Sequence, residues 1–100
     1  MNKFADLLES DRRLVILRCL SEDPSYDLNE SILQSMLGSL GHNVSRDRLR
    51  TDLQWLAEQG LVTLREVVSV HVATLTSRGN DVACGRVTVP GVKRPGPRSC

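Results

Sequence analysis

Apolar residues near the start of the chain recur at the spacing of a helix. Leu14, Leu17 and Leu20 fall on one wide face, and charged residues interrupt the opposite side. The sequence predicts a first helix over residues 3–21. Pro24 prevents this helix from continuing, because proline lacks a backbone N–H donor and disfavours helical geometry in the residue before it. A face this apolar indicates a helix that packs against a core.

A second amphipathic helix follows the proline. Asp27 or Asn29 can cap its first turn with a side-chain oxygen, and Gly41 can end it in the left-handed conformation. Residues 41–44 then form a four-residue connection to the next helix, which is the length found where two helices cross steeply. The apolar positions of this second helix are Ile32, Leu33, Met36, Leu37 and Leu40.

The third helix has a signal at each end. Ser45 can accept a hydrogen bond from the free N–H groups of the first turn, and Gly60 can adopt the left-handed turn that ends the helix. Leu49, Leu53 and Leu56 recur at four- and three-residue spacing, so they lie on one stripe. The stretch between the two signals is therefore predicted to be one amphipathic helix.

Two strand-like segments come after the third helix. Leu61–Glu66 and Val70–Leu75 are rich in Val, Leu and Thr, and a short link joins them, which predicts a hairpin. The link lacks the Asn-Gly or Asp-Gly pair of a tight turn, so we expect a short hairpin whose tip lies near residues 66–69.

The end of the chain is predicted to form a short helix followed by a segment rich in proline and glycine. A brief final helix is predicted from Thr76 or Ser77, either of which can cap it, to about Gly85. The last 14 residues contain three prolines and two glycines, a composition typical of an extended or disordered segment. The sequence thus predicts one folded domain over residues 1–86 and a flexible basic tail over residues 87–100.

The core is expected to be aliphatic, because aromatic residues make up only 3% of the 100 residues. A chain of this length can bury a single core. Trp55 lies between the apolar and polar faces of the third helix and is expected to pack against the first helix or a second copy. The predicted core comprises Leu14, Leu17, Ile32, Leu33, Leu37, Val44, Leu49, Leu53, Leu56, Val62 and Leu75.

Two short motifs flank the predicted hairpin, LAEQGLV at residues 56–62 and LTSRG at residues 75–79. They are similar to the pattern of winged-helix regulators of the multiple-antibiotic-resistance and arsenic-repressor types. The phrases FADLLESDRRLVILRCL, VSRDRLRTDLQWLAEQGLVTL and VPGVKRPGPR extend the likeness along the chain, which resembles small winged-helix proteins encoded by Mu-like phages and prophages. The resemblance implies an α+β winged helix-turn-helix fold, with a three-helix core, a two-stranded wing and a short C-terminal helix.

In such a fold the third helix would be the recognition helix, with the face opposite its leucines in the major groove of DNA. Arg50 can pair with guanine and Gln54 with adenine, because each offers matching hydrogen bonds to the base edge. The helix at residues 45–59, the wing at residues 61–75 and the tail together supply the predicted DNA-binding residues. These are Ser45, Arg46, Arg48, Arg50, Thr51, Gln54, Arg65, Lys93, Arg94 and Arg98.

The charge distribution weighs against tight DNA binding by one copy. The net charge is +1, and residues 31–85 hold five basic and five acidic side chains, although residues 86–100 hold four basic and none acidic. Asp47 and Glu58 lie on the face that would meet DNA. Two functions therefore stay open: a transcriptional regulator that binds duplex DNA as a homodimer, and a non-enzymatic adaptor that binds a phage or host protein.

The sequence contains no motif for catalysis, metal binding or cofactor binding. Cys19, Cys84 and Cys100 form no close metal-ligand pair, and neither histidine has a catalytic partner at a recognised spacing. No glycine-rich phosphate loop is present. The sequence accordingly predicts no enzyme, no metal and no cofactor. No run of 18 apolar residues occurs, so we expect no membrane partner and a cytoplasmic location.

Overall fold

The predicted helices and both hairpin strands are present in the computed structural model, which describes residues 3–97. Within these residues the fold is α+β, with four helices and one three-stranded antiparallel sheet. The elements in chain order are α1 (Lys3–Glu22), β1 (Asp27–Asn29), α2 (Glu30–Ser39), α3 (Arg46–Glu58), β2 (Val62–Val67), β3 (Val70–Leu75) and α4 (Ser77–Ala83).

Side-chain caps begin three of the four helices. Asn29, rather than Asp27, caps α2, and Ser45 caps α3 as predicted; each accepts a hydrogen bond from the backbone N–H three residues further on. Thr76 caps α4 in the same way. At the other end of α3, Gly60 adopts the left-handed conformation with φ of +76°, which lets the chain turn directly into β2.

The hairpin joins β2 and β3 in a register that runs from Val62 opposite Leu75 to Val67 opposite Val70. Its tip falls in the predicted region, but the turn is tighter than expected. Only Val68 and Ser69 lie between the paired residues Val67 and Val70, and both have positive φ, 50° and 64°. A valine in this region is uncommon because its branched side chain crowds the backbone.

A third strand was not predicted. Asp27–Asn29 pairs antiparallel with β3, from Asp27 opposite Thr74 to Asn29 opposite Val72, so β3 is the central strand. The strand leads straight into α2 without an intervening loop. The sheet therefore connects the start of α2 to the hairpin.

The predicted core positions are mostly confirmed. Val44 and Leu75 are half-buried at its edge, whereas Ile32 was predicted wrongly, since it lies on the outer side of α2 and is 47% exposed. The prediction overlooked Ile16 and Leu20, which are fully buried on α1. The confirmed positions are Leu14, Leu17, Leu33, Leu37, Leu49, Leu53, Leu56 and Val62.

Residues 87–97, which we call the C-terminal segment, belong to the predicted tail and have no helix or strand, but part of the segment packs against the folded domain. Val89 and Val92 are buried in the core, 4% and 7% exposed. The backbone N–H of Lys93 donates to the carbonyl of Ser10 in α1, at 3.1 Å. Proline and glycine give this segment no regular structure of its own, but its valines bury apolar area against the helices and hold it in place.

Candidate nucleic-acid interface

The exposed face of α3 carries the polar residues that the sequence assigned to it. Asp47, Thr51, Gln54 and Glu58 are all exposed. The hydroxyl of Thr51 donates to the backbone carbonyl of Asp47 at 3.1 Å. Ser45 is also exposed; its hydroxyl oxygen accepts the capping hydrogen bond, and its O–H group can still donate to a phosphate oxygen.

A fully buried carboxylate lies beneath the arginines of α3. Glu30, the first residue of α2, accepts hydrogen bonds from Nε and Nη2 of Arg50 at 2.6 and 2.9 Å. It also accepts from the backbone N–H of His71 in β3, at 2.7 Å. The hydrogen bonds from Arg50, aided by the one from His71, lower the pKa of Glu30 from its ordinary 4.5 to about 2. One charged side chain thus joins α2, α3 and the hairpin.

The neighbouring arginine of α3 is held in a similar way. Arg46 Nε donates to Gln34 Oε1 at 2.8 Å, and its Nη1 lies 3.9 Å from Glu30. Gln34 in turn donates to the carbonyl of Val44 at 3.1 Å, which fixes the connection before α3. Arg50 also reaches the hairpin tip, where its Nη2 lies 3.5 Å from the carbonyl of Ser69. The start of α3 and the tip of the hairpin therefore form one continuous surface.

Three of the other predicted cations face carboxylates of the same chain. Arg48 lies 3.7 Å from Glu9 of α1, and Arg65 of β2 lies 2.6 Å from Asp27. Lys93 is farther away, beside α1, where its Nζ lies 3.2 Å from Asp11. Arg94 is exposed on the C-terminal segment, and Arg98 lies outside the described residues. The structure brings Arg46 and Arg50 together at Glu30 and pairs Arg65 with Asp27, whereas Arg48 and Lys93 face carboxylates of α1.

These ion pairs make the surface well ordered but nearly neutral. Guanidinium groups that remain 40% to 56% exposed keep part of their donor capacity for an outside partner. A phosphate that approaches them must compete with Glu9, Asp27 or Glu30, which reduces the gain from each contact. Sequence reasoning missed Glu30 altogether, because an acidic residue in the first turn of a helix is normally explained by the helix dipole.

The opposite side of α3 is anchored to the body of the protein by charge. Asp52, 1% exposed, forms an ion pair with Arg12 of α1. The guanidinium of Arg13 lies 3.9 Å from the ring centroid of Trp55, which confirms that the tryptophan packs against the first helix. Arg13 also donates to the carbonyl of Gly91 at 3.1 Å. The helix that carries the candidate surface is therefore fixed on both α1 and the C-terminal segment.

Comparison with known sequences identifies relatives of this chain. No protein-family model and no solved structure matches the chain. The chain is 58% identical over 94 residues to the uncharacterized protein gp26 of Escherichia phage Mu, covering 94% of this chain and 97% of that protein. It belongs to the phage Mu gp26 family. An uncharacterized protein of Haemophilus influenzae is 49% identical over 76 residues, which are 75% of this chain and 74% of the relative.

In this gp26 relative, the described residues include neither a cluster of metal ligands nor a membrane-spanning helix. Among residues 3–97, no group of three or more His, Cys, Asp or Glu side chains is arranged to hold a metal ion. No helix in this range is long and apolar enough to cross a membrane. The surface built from α3 and the hairpin is thus the arrangement from which a function can be argued.

Proposed function

We propose that this protein is a winged helix-turn-helix protein that binds duplex DNA and regulates transcription in a Mu-like phage. The order of the elements supports the proposal, since α2, a short connection and α3 precede a hairpin in the place of a wing and a short closing helix. The observation that carries it is the shared surface of α3 and the hairpin, which Glu30 and Arg50 hold together. Recognition helices and wings use such a surface to contact adjacent grooves.

The side chains at the start of α3 have the chemistry for base contacts. Glu30 takes the Nε and Nη2 side of the Arg50 guanidinium, so the Nη1 end remains for hydrogen bonds to guanine. Gln54 is exposed one turn further along and can pair with adenine. Because Arg50 is already oriented, its side chain loses little conformational freedom when it binds.

A second copy would offset the weak charge of this surface. The first two turns of α1 expose Phe4, Leu7 and Leu8, which are 68%, 67% and 43% exposed. Large apolar side chains so close together favour self-association. In a homodimer two recognition helices would contact half-sites about one DNA turn apart. Sedimentation that gives a monomer mass at micromolar concentration and above would refute the dimer.

The test is fluorescence anisotropy on labelled duplexes tiled from a Mu-like phage genome, measured across a salt series. Gln54→Ala should weaken binding to the preferred duplex by about 1–3 kcal/mol and leave binding to a scrambled duplex unchanged. Arg86→Ala is the control outside the proposed surface, because Arg86 is exposed, pairs with Asp81 at 3.0 Å and belongs to neither α3 nor the hairpin; it should leave both affinities nearly unchanged. If the intact protein binds no duplex even at low salt, the DNA proposal is wrong.

A protein-binding adaptor is the second candidate function, and the ion pairs favour it. Arg48, Arg65 and Arg50 each face a carboxylate of the same chain, which leaves an even mixture of charges. Such a mixture suits a polar protein partner better than a polyanion. Failure to bind DNA, together with capture of a phage protein that Gln54→Ala abolishes, would establish this function instead.

A further inference from the structure

The tip of the hairpin combines two features that the fold itself does not require. Val68 is 92% exposed and has φ of 50°, and the next residue, Ser69, has φ of 64°. Asn, Asp and Gly adopt this conformation readily, whereas a branched side chain is strained in it. Because Val68 is so exposed, its side chain buries almost no apolar area that could offset this strain. Neither turn geometry nor core packing therefore explains why a valine occupies this position.

The tip is also held in a fixed place. Its carbonyl at Ser69 lies 3.5 Å from Nη2 of Arg50, and two residues further on the N–H of His71 donates to buried Glu30 at 2.7 Å. The neighbouring Val67 is 44% exposed. Two adjacent valines are thus presented to solvent at the end of a narrow turn that is attached to α3.

We propose that Val67 and Val68 form an apolar wedge that enters the minor groove of duplex DNA beside the site contacted by α3. This inference rests on the DNA-binding function proposed above. A two-residue turn is narrow, as the minor groove requires, and proteins that distort the duplex insert apolar side chains there between base steps.

The surroundings of the tip favour DNA over an apolar protein pocket. Arg50 contacts the tip at the carbonyl of Ser69, and Arg65 precedes Val67 by two residues on β2; both side chains stay partly exposed and can donate to phosphates that border a groove. The nearest carboxylate on the hairpin, Glu66, lies 3.7 Å from Nε2 of His71, across the strand pair. Valine has no hydrogen-bonding group, so the wedge selects groove width and easily unstacked steps, such as TA, without pairing with base edges.

The test uses Val68→Asn, because asparagine keeps the turn geometry and removes the apolar group. Relief of strain at this exposed position should raise the Tm by about 4 °C or more, as about 1 kcal/mol does in a domain of this size. A duplex with central TA steps, labelled at both ends for energy transfer and with 2-aminopurine at the step, reports bending and unstacking. Wild-type protein should produce both signals, and Val68→Asn should lose them with about a tenfold drop in affinity for that duplex.

Two further variants make the experiment decisive. Val67→Ser should reduce the same signals, whereas Ile32→Ser, at an exposed apolar site on the outer side of α2, should leave them unchanged. If wild-type protein binds the duplex without bending it, or if Val68→Asn bends it equally, the wedge is refuted while the DNA-binding function stands. If wild-type protein binds no duplex, both proposals fail, and the valines are assigned to a protein contact.

Discussion

Replacement of Glu30 by glutamine removes a negative charge through which α2 is hydrogen-bonded to both α3 and the hairpin. The carboxylate accepts two hydrogen bonds from Arg50 and one from the N–H of His71, and it is fully buried. Glutamine keeps one acceptor oxygen and turns an N–H group toward donors. Hydrogen bonds to charged groups contribute about 1.5–3 kcal/mol each, and Arg50 can recover part of its hydration because its side chain is 40% exposed. We expect Glu30→Gln to lower the free energy of unfolding at pH 7 by about 2 kcal/mol.

The pH dependence follows from the lowered pKa of Glu30. The shift from 4.5 to about 2 corresponds to about 3 kcal/mol at 1.36 kcal/mol per unit, before an allowance for water around Arg50 reduces it toward 2. The unfolded chain binds this proton more tightly than the native protein does. The stabilisation is therefore complete above the unfolded pKa of 4.5 and is lost as the pH falls toward 2. At pH 3 roughly half of it or less should remain.

Urea unfolding monitored by the fluorescence of the single tryptophan, Trp55, measures this effect. The difference between wild-type protein and Glu30→Gln should be largest near pH 7 and shrink steadily below pH 4.5. Glu58→Gln is the matched control, since this exposed glutamate on α3 should change stability by about 0.5 kcal/mol at most. A difference that stays constant from pH 7 to 3, or none at all, would refute the role assigned to Glu30.

Two stability predictions concern packing, and both can be checked by urea unfolding at pH 7. Leu53→Ala, at a fully buried site, should cost about 2–5 kcal/mol, whereas Ile32→Ala, at a site 47% exposed, should cost under about 1; equal losses would mean that the core face is misplaced. Gly91→Ala should cost about 1–3 kcal/mol, because its Cβ would lie 2.8 Å from the Trp55 ring where φ is +97°. Gly41→Ala is the matched control, because Gly41 has a similar φ of +93° and an added Cβ there would meet no described atom within 4 Å; an equal loss there would contradict this packing argument.

The elements that could be predicted from sequence are those whose signals are local. Ser45 and Gly60 mark the ends of α3 within a few residues of the helix itself, and the leucine spacing identifies its buried side. Strand β1 has no such signal, because three residues gain strand geometry only by pairing with β3, more than forty positions away. Ile32 shows the same limit in a helix. The spacing of apolar residues defines one side of α2, but it does not show how much of that side the neighbouring elements cover.

The exposure of side chains on α3 could be predicted from the sequence, whereas the ion pairs of its arginines could not. The exposed positions Thr51 and Gln54 follow from helix geometry alone. The pairing of Arg50 with Glu30 and of Arg65 with Asp27 joins residues 20 and 38 positions apart, and only the folded chain brings them together. The sequence therefore predicts an even balance of charge around α3 but does not show which carboxylate pairs with which arginine.

The buried C-terminal segment has a consequence for synthesis on the ribosome. Its hydrogen bonds to α1, from Lys93 to Ser10 and from Arg13 to Gly91, span 83 and 78 positions, almost the whole chain. Domains generally fold as units while they are being translated. Here α1 appears first, but the apolar surface reserved for Val89 and Val92 stays open to water until these residues have left the exit tunnel. Burial of this surface must therefore wait until the C-terminal segment has been synthesised, well after α1.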